Sequence, residues 1–161
     1  MSRGVFTQKR HRSREMALQM LYALDLRESQ TPEQAFELFF EDEDPDIEQY
    51  ARELTIGAWG RRQEIDDLIR EHVTGWRPER MVAVDRAALR MCLFECILGK
   101  LAPVPVAISE AVELAKVFGT DESGKFVNGA LGRIVRNIPG SDLAEGGDSH
   151  GLEGHAEDPD C

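Results

Sequence analysis

Residues Val84–Gly99 read "VDRAALRMCLFECILG" and carry the clearest information about the fold. Wound as a helix, it is apolar on almost every side, and its polar exceptions are few: Asp85, Arg86, Arg90 and Glu95. A helix on the surface of a bundle carries one apolar stripe and a broad polar face, whereas a helix that is apolar all round is buried. The stretch therefore predicts the central helix of an α-helical bundle.

Further helices are predicted on the N-terminal side, because apolar residues recur there at helical spacing. One helix covers residues 14–28. Thr31 is an N-cap ahead of Pro32 and begins a second helix, and a long third helix follows Asp44 and Pro45. This part of the chain is therefore expected to contribute three helices to the bundle.

Two glycines, Gly57 and Gly60, weaken the middle of the long helix, so we expect it to be bent or divided there. The connection "GWRPER" that follows has room for one helical turn. Beyond the central stretch, "AISEAVELAKVFG" and "ESGKFVNGALGRIVRNI" predict two more helices. No segment alternates convincingly between apolar and polar residues as a strand does, which indicates an all-α fold.

Length and composition favour one globular domain, since 161 residues lie near the usual domain size and 42% of them are hydrophobic. No run approaches the roughly 18 apolar residues of a membrane span. The segment "MALQMLYAL" follows basic residues but lacks the cleavage site of a signal peptide. We therefore expect a cytoplasmic protein.

Residues that carry out catalysis are not apparent. The chain has no glycine-rich phosphate loop and no serine or cysteine nucleophile with a plausible base. Cys92 and Cys96 lie one helical turn apart in the apolar stretch without nearby partner ligands, and are interpreted as small core residues. The sequence thus predicts neither an enzyme nor a bound metal or cofactor.

Charge is distributed unevenly along the chain, whose net charge is −11. Residues 1–14 carry +5 without an acidic side chain, residues 15–138 carry −9, and residues 139–161 carry −7. A short basic arm ahead of an acidic body is typical of an extension that contacts nucleic acid, although a solvated terminus without a function has the same composition. We expect residues 1–13 to form a flexible arm and residues 139–161 a disordered tail.

Two aromatic residues fall off the apolar stripes of their own helices. Counting about 100° per residue places Phe126 far from Leu131 and Ile138, and places Tyr22 on the side of Gln19. Each ring then either packs against a neighbouring helix or faces solvent. Exposed rings beside a basic arm are suited to stack on the bases of single-stranded RNA while the arm neutralises phosphates.

Four segments together resemble the NusB family of bacterial transcription antitermination factors: "SREMALQMLYALD", "VDRAALRMCLFE", "PVPVAISEAVELAKVFG" and "DESGKFVNGAL". They occur in the family's order and at its separations, and they span most of residues 10–138. The resemblance implies a helical bundle of about seven helices, arranged as two packed three-helix subdomains within residues 14–138, and no cofactor.

The resemblance also implies a function. NusB-like proteins bind the boxA element of ribosomal RNA leader transcripts as a heterodimer with NusE, a small-subunit ribosomal protein. The pair joins a complex on RNA polymerase with other Nus factors that resists termination. A basic arm suits RNA, and an acidic body suits a basic ribosomal protein.

Residues of this chain that match functional positions in the family's motifs are expected to make the same contacts. The residues that the resemblance assigns to RNA are Arg10, Arg12, Arg14, Tyr22, Lys125 and Phe126. Asp85 falls where the family usually has an acidic residue that faces NusE.

Other interpretations stay open at the level of sequence. The chain could be a protein-interaction adaptor in ribosome biogenesis without sequence-specific RNA binding. The same helical domain precedes some ribosomal RNA cytosine methyltransferases, but 161 residues leave no room for the enzyme domain. The acidic tail serves either solubility or competition with RNA for the basic arm. Sequence does not distinguish a monomer from a homodimer.

Overall fold

The computed structural model describes residues 3–27, 30–40, 42–75 and 77–139, and the regular structure within these ranges is helical. The helices, in chain order, are α1 (Arg3–Leu26), α2 (Pro32–Phe39), α3 (Pro45–Gly60), α4 (Arg62–His72), α5 (Ala83–Leu93), α6 (Val104–Phe118) and α7 (Ser123–Arg136). A 3₁₀ turn, Pro78–Arg80, precedes α5, and a π-helical turn, Phe94–Leu98, continues it. The all-α class expected from the sequence is confirmed.

Local capping explains where α2 and α3 begin. The Thr31 hydroxyl accepts a hydrogen bond from the Gln34 amide at 3.2 Å, and the Gln34 side chain accepts one from the Thr31 amide at 2.9 Å. At the start of α3, the Asp44 carboxylate accepts a hydrogen bond from the Asp46 amide at 2.8 Å. These side chains satisfy amide groups that the first turn of a helix leaves unpaired. The cap at Thr31 and the start of a helix after Asp44 and Pro45 were predicted from the sequence.

The predicted division of the long helix is confirmed, since α3 ends at Gly60 and α4 begins at Arg62. The two glycines have different surroundings. A Cβ atom on Gly57 would lie 2.0 Å from Cζ of Phe94, whereas one on Gly60 would meet nothing within 4 Å. Gly57 therefore allows α3 to pass close to the π-helical turn.

Two apolar cores lie on different sides of α1. The smaller core joins α1 to α2 and α3, and its buried residues are Met16, Met20, Leu24, Ala35, Phe36 and Ala51. The larger core takes Ala17, Leu18 and Leu21 from α1 and unites them with α3, α4, α5, α6 and α7. Because α1 is buried on both sides from Ser13 onward, only a narrow strip of that part reaches solvent, whereas residues 3–8 are exposed.

The segment predicted to be central has that position, because α5 contacts α1, α3, α4, α6 and α7. Its arginines make ion pairs with neighbouring helices. Arg90 contacts both carboxylate oxygens of Asp66 in α4, at 3.0 and 2.8 Å, and approaches Asp25 of α1 at 3.3 Å. Arg86 binds the same Asp25 carboxylate. The polar residues that interrupt the apolar stretch thus fix α1 and α4 against α5.

The expectation of a flexible arm at residues 1–13 requires correction, because α1 is helical from Arg3 onward. The physical reason is a set of contacts with α3. The buried Ser13 hydroxyl lies 2.9 Å from the Ile47 carbonyl, and Lys9 forms an ion pair at the start of α3. The predicted acidic tail, apart from Pro139, lies outside the described residues.

Candidate nucleic-acid interface

The exposed strip of α1 carries a cation and an aromatic ring on one face. Arg12, Gln19 and Tyr22 are separated by seven and three residues, which places them within about 80° of one another around the helix. Tyr22 is 39% exposed, and Arg12 is also exposed. The prediction that Tyr22 faces solvent is confirmed.

Arg10 lies against aromatic rings rather than carboxylates. Its guanidinium carbon is 3.6 Å from the centroid of the Tyr50 ring and 4.8 Å from that of Phe6. Both distances are within the range of cation–π attraction. This stacking holds the half-buried guanidinium against the rings beside α1.

Arg12 and Lys9 are paired with acidic side chains. Arg12 contacts Glu15 at 2.6 Å and Glu43 at 3.3 Å. Lys9 contacts Asp44 at 3.2 Å and Asp46 at 3.0 Å. The hydrogen bonds to Asp46 and Asp44 raise the pKa of Lys9. Much of the positive charge predicted for the arm is therefore neutralised within the molecule.

The structure does not support the assignment of Arg14 to RNA contact, because the side chain is buried and forms ion pairs in the interior. Its guanidinium binds the Glu95 carboxylate at 2.8 Å and Glu110 of α6 at 3.1 Å. Tyr50 donates a hydrogen bond to Glu95 at 2.5 Å. Arg14 thus fixes α1 against the π-helical turn and α6, and has no face free for a phosphate.

Tyr22 borders an apolar groove of about 430 Å³ between α1, α2, α5 and α6. The groove is lined by Leu18, Gln19, Tyr22, Ala23, Phe39, Val84 and Phe118. Residues from four helices form it, so it exists only in the folded chain. The Tyr22 ring is consequently supported on one side by protein and open to solvent on the other.

Lys125 and Phe126 open α7 and differ in exposure. Lys125 is exposed, whereas Phe126 is half-buried and packs against the larger core. The expectation that Phe126 faces outward is therefore only partly met, since its ring also has a packing role. The start of α7 lies on α6, because a Cβ on Gly124 would be 2.6 Å from Cγ of Lys116. Lys125 and Phe126 thus lie beside the C-terminal end of α6, which also carries the groove residue Phe118.

Asp85 does not present the exposed carboxylate that the sequence led us to expect. It is only 6% exposed, and its Oδ1 atom has no hydrogen-bond partner among the described residues. Burial raises the pKa of Asp85, and a hydrogen bond with Ser123 opposes that shift. The residue lies in the first turn of α5, beside Ser123 at the start of α7. A direct partner contact through this side chain is therefore not supported.

Sequence reasoning missed two groups of residues at this surface. It did not find the groove partners of Tyr22, and it did not find the carboxylates of Glu43, Asp44 and Asp46 beside α1. Asp44 and Pro45 were recognised as a helix start, which is a local signal. Nothing in the local pattern indicated that this helix start lies against α1.

The described residues contain no group of three or more His, Cys, Asp or Glu side chains arranged to hold a metal ion. Cys92 and Cys96 are buried and unbridged, as expected of small core residues. In the same ranges, no helix is both long enough and apolar enough to cross a membrane.

The fold and this surface define an all-helical protein with two packed cores, whose first helix exposes cations and an aromatic ring. The family model described as the NusB family matches residues 11–136. The chain belongs to the NusB family.

Individual relatives agree with this assignment. The transcription antitermination protein NusB of Symbiobacterium thermophilum is 40% identical over 141 residues, which cover 82% of this chain and 92% of that protein. The corresponding protein of Myxococcus xanthus is 43% identical over 131 residues, which cover 78% of this chain and 94% of that protein.

Solved structures are similar throughout most of the chain. The structure of T. maritima NusB has a TM-score of 0.77 at 34% identity, covering 84% of this chain and 96% of that one. A crystal structure of antitermination factors NusB and NusE in complex with dsRNA contains a chain with a TM-score of 0.72 at 32% identity, covering 79% and 96% respectively.

Proposed function

We propose that the protein is a non-catalytic transcription antitermination factor that binds boxA-type RNA of ribosomal RNA leader transcripts together with NusE. In this proposal the RNA-bound pair joins other Nus factors on RNA polymerase. Family membership supports the antitermination role, and the similarity to a chain solved with NusE and dsRNA supports both partners.

The observation that carries the RNA-binding part is the shared face of Arg12 and Tyr22 on α1. Ten residues of helix separate them by about 15 Å along the axis. A cation at one end of this strip neutralises phosphates, and an exposed ring at the other end stacks on a base. Together these contacts are the usual means of holding single-stranded RNA.

The RNA surface proposed after the correction of Arg14 comprises Arg10, Arg12, Tyr22, Lys125 and Phe126. Arg10 and Arg12 supply charge, while Tyr22 and Phe126 supply ring surface. Arg14 contributes by positioning α1, since it links that helix to Glu95 in the interior. In this arrangement RNA extends from the N-terminal half of α1 towards the start of α7.

NusE is proposed as the protein partner because the body of the chain is acidic. Residues 15–138 carry a charge of −9, which complements a basic ribosomal protein and favours rapid association. The apolar groove beside Tyr22 adds uncharged surface near the exposed strip of α1 that is proposed to bind RNA.

Electrophoretic mobility shift with boxA RNA and a scrambled RNA of equal composition, with and without NusE, tests the proposal. We expect a preference for boxA over the scrambled RNA that NusE strengthens. Binding of NusE without any preference for boxA would instead identify a protein-interaction adaptor.

A further inference from the structure

Three carboxylates occupy the place beside α1 where RNA phosphates are proposed to bind. They are Glu43, Asp44 and Asp46, called here the acidic turn, and they lead into and begin α3. Asp46 and Asp44 lie 3.0 and 3.2 Å from the Lys9 ammonium, and Glu43 lies 3.3 Å from the Arg12 guanidinium. Each of these cations therefore already has a counter-charge before RNA arrives.

The acidic turn is held in place by the fold. Ser13 of α1 contacts the carbonyl of Ile47 at 2.9 Å, which fixes the first turn of α3 against α1. The Asp44 carboxylate also accepts a hydrogen bond from the Asp46 amide. Because this backbone is anchored, the carboxylates stay within reach of Lys9 and Arg12 and compete with any incoming phosphate at high local concentration.

The ion pairs between the acidic turn and α1 lie at the protein surface, although the Glu43 side chain is only 19% exposed. The side chains of Lys9 and Arg12 are 25% and 45% exposed, and that of Asp46 is 65% exposed. Exposed ion pairs are weak, so a phosphate is able to displace them, in contrast to the buried pair of Arg14 and Glu95. Arg10 differs again, since its guanidinium lies on the rings of Tyr50 and Phe6.

We propose that the acidic turn is an intramolecular competitor of RNA that sets the affinity and salt dependence of the α1 surface. In this proposal Lys9 joins Arg12 as a phosphate contact. RNA replaces a carboxylate by a phosphate at each of the two cations, and the displaced acidic side chains remain beside the RNA backbone. An RNA that gains only charge contacts then binds weakly, whereas one that also stacks a base on Tyr22 overcomes the competition. The inference rests on the proposed RNA-binding function.

The mechanism has a definite consequence for salt dependence. Neutralising a phosphate with a free cation releases counterions and gives a slope of about −0.7 per contact on a single strand. A carboxylate displaced from the cation recruits counterions again, which cancels part of that release. Removing the carboxylates therefore makes the slope steeper and makes the gain in affinity largest at low salt.

The test compares two triple variants of the full chain. One is Glu43→Gln, Asp44→Asn and Asp46→Asn; it keeps the α3 cap, because asparagine is as good an N-cap as aspartate. The matched control is Glu64→Gln, Asp67→Asn and Glu71→Gln on α4. It changes the net charge equally; it also frees Arg61 and removes one of the two acidic partners of Arg70, which keeps Glu79.

Binding of boxA and scrambled RNA is measured for the two variants and the wild type across a salt series, with heparin retention as a probe of charge alone and thermal melting as a check of folding. The acidic-turn variant is expected to bind boxA RNA on the order of 10-fold more tightly at low salt. Its slope should steepen by about 0.7 for Lys9, which loses both of its carboxylates, and by less for Arg12, which keeps Glu15. The α4 control should stay close to the wild type.

The outcomes separate this inference from the proposed function. If both variants bind RNA and heparin like the wild type at every salt concentration, the competition is overturned while boxA binding stands. If the acidic-turn variant gains on heparin but neither it nor the wild type prefers boxA over scrambled RNA, the competition stands and the proposed function fails. If RNA affinity rises equally in the two variants, the change in net charge alone explains the effect, and the inference is overturned.

Discussion

The guanidinium of Arg14 and the carboxylate of Glu95 lie 2.8 Å apart in the interior, although 81 positions separate the two residues along the chain. Glu95 is fully buried, and Arg14 is nearly so. This pair joins the N-terminal helix to the turn that follows the central helix. It shows that an arginine within a basic segment can serve the core while its neighbours serve the surface.

Loss of the buried pair should act on stability. Arg14→Gln leaves the Glu95 carboxylate without its cation, and breaking a buried pair in this way costs about 3–5 kcal/mol. We expect a large fall in melting temperature, measured by circular dichroism, while Arg12→Gln leaves it nearly unchanged. Unchanged melting of Arg14→Gln together with weakened RNA binding would restore Arg14 to the RNA surface.

Combined replacement of Arg10 and Arg12 by glutamine should weaken RNA binding and flatten its salt dependence. The expected change is about 0.7 in slope per lost phosphate contact, and it is reduced at Arg12 because Glu15 and Glu43 already neutralise that side chain. Fluorescence anisotropy across a salt series measures the slope. Arg61→Gln with Arg70→Gln provides the control, and an equal change in that variant would contradict a specific role of α1.

Replacement of Tyr22 and of Phe126 by alanine should have different effects on RNA affinity and stability. Tyr22→Ala is expected to reduce RNA affinity by about 1–3 kcal/mol with little change in melting temperature, since the ring is substantially exposed. Phe126→Ala should lower the melting temperature as well, because that ring packs against the larger core. Tyr22→Phe retains a stacking surface and should bind almost normally. A similar loss with Tyr22→Phe would point to the hydroxyl instead of the ring.

The two glycines of α3 should respond oppositely to alanine. At Gly57 the new methyl group would overlap the Phe94 ring, and overpacking of this kind costs about 1–3 kcal/mol. At Gly60 the space is open, and alanine is expected to stabilise the protein by about 0.5–1 kcal/mol through its helix propensity. Denaturant unfolding of both variants measures the difference. Equal stabilities would show that the ring moves aside without cost.

Asp85→Asn should stabilise the protein at neutral pH. Burial raises the folded-state pKa of Asp85 above its ordinary value, so the folded state holds a proton more tightly than the unfolded state. Stability attributable to this group consequently falls as pH rises from the unfolded pKa through the folded one. Asparagine removes this penalty. The variant should therefore melt at a higher temperature than the wild type at neutral pH, and the two melting temperatures should become equal at mildly acidic pH. A destabilised variant at neutral pH would indicate that the charged form is favoured where it lies.

Local patterns in the sequence were sufficient for most of the helices and for the place of the central one, but not for the start of α1 at Arg3. Thr31 and Asp44 marked helix starts through hydrogen bonds that span two or three residues, and the apolar circumference of residues 84–99 placed that segment at the centre. The break at Gly60 was likewise a local effect. Such features depend on neighbours within one or two helical turns, which the order of residues specifies directly.

Which cations of α1 are accessible to a ligand depends on the tertiary structure. Helical periodicity separates an apolar side from a polar one, but it does not reveal what a neighbouring helix brings to the polar side. Lys9 meets Asp46 across 37 residues, and Arg14 meets Glu95 across 81. Through these contacts Arg14 becomes part of the core, and Lys9 is paired with an acidic side chain. Both effects depend on distance in space and not on distance along the chain. Local sequence patterns specify a helical protein with a basic first segment. Which of those cations remain available at the surface depends on the packing of α3, α6 and the π-helical turn against α1.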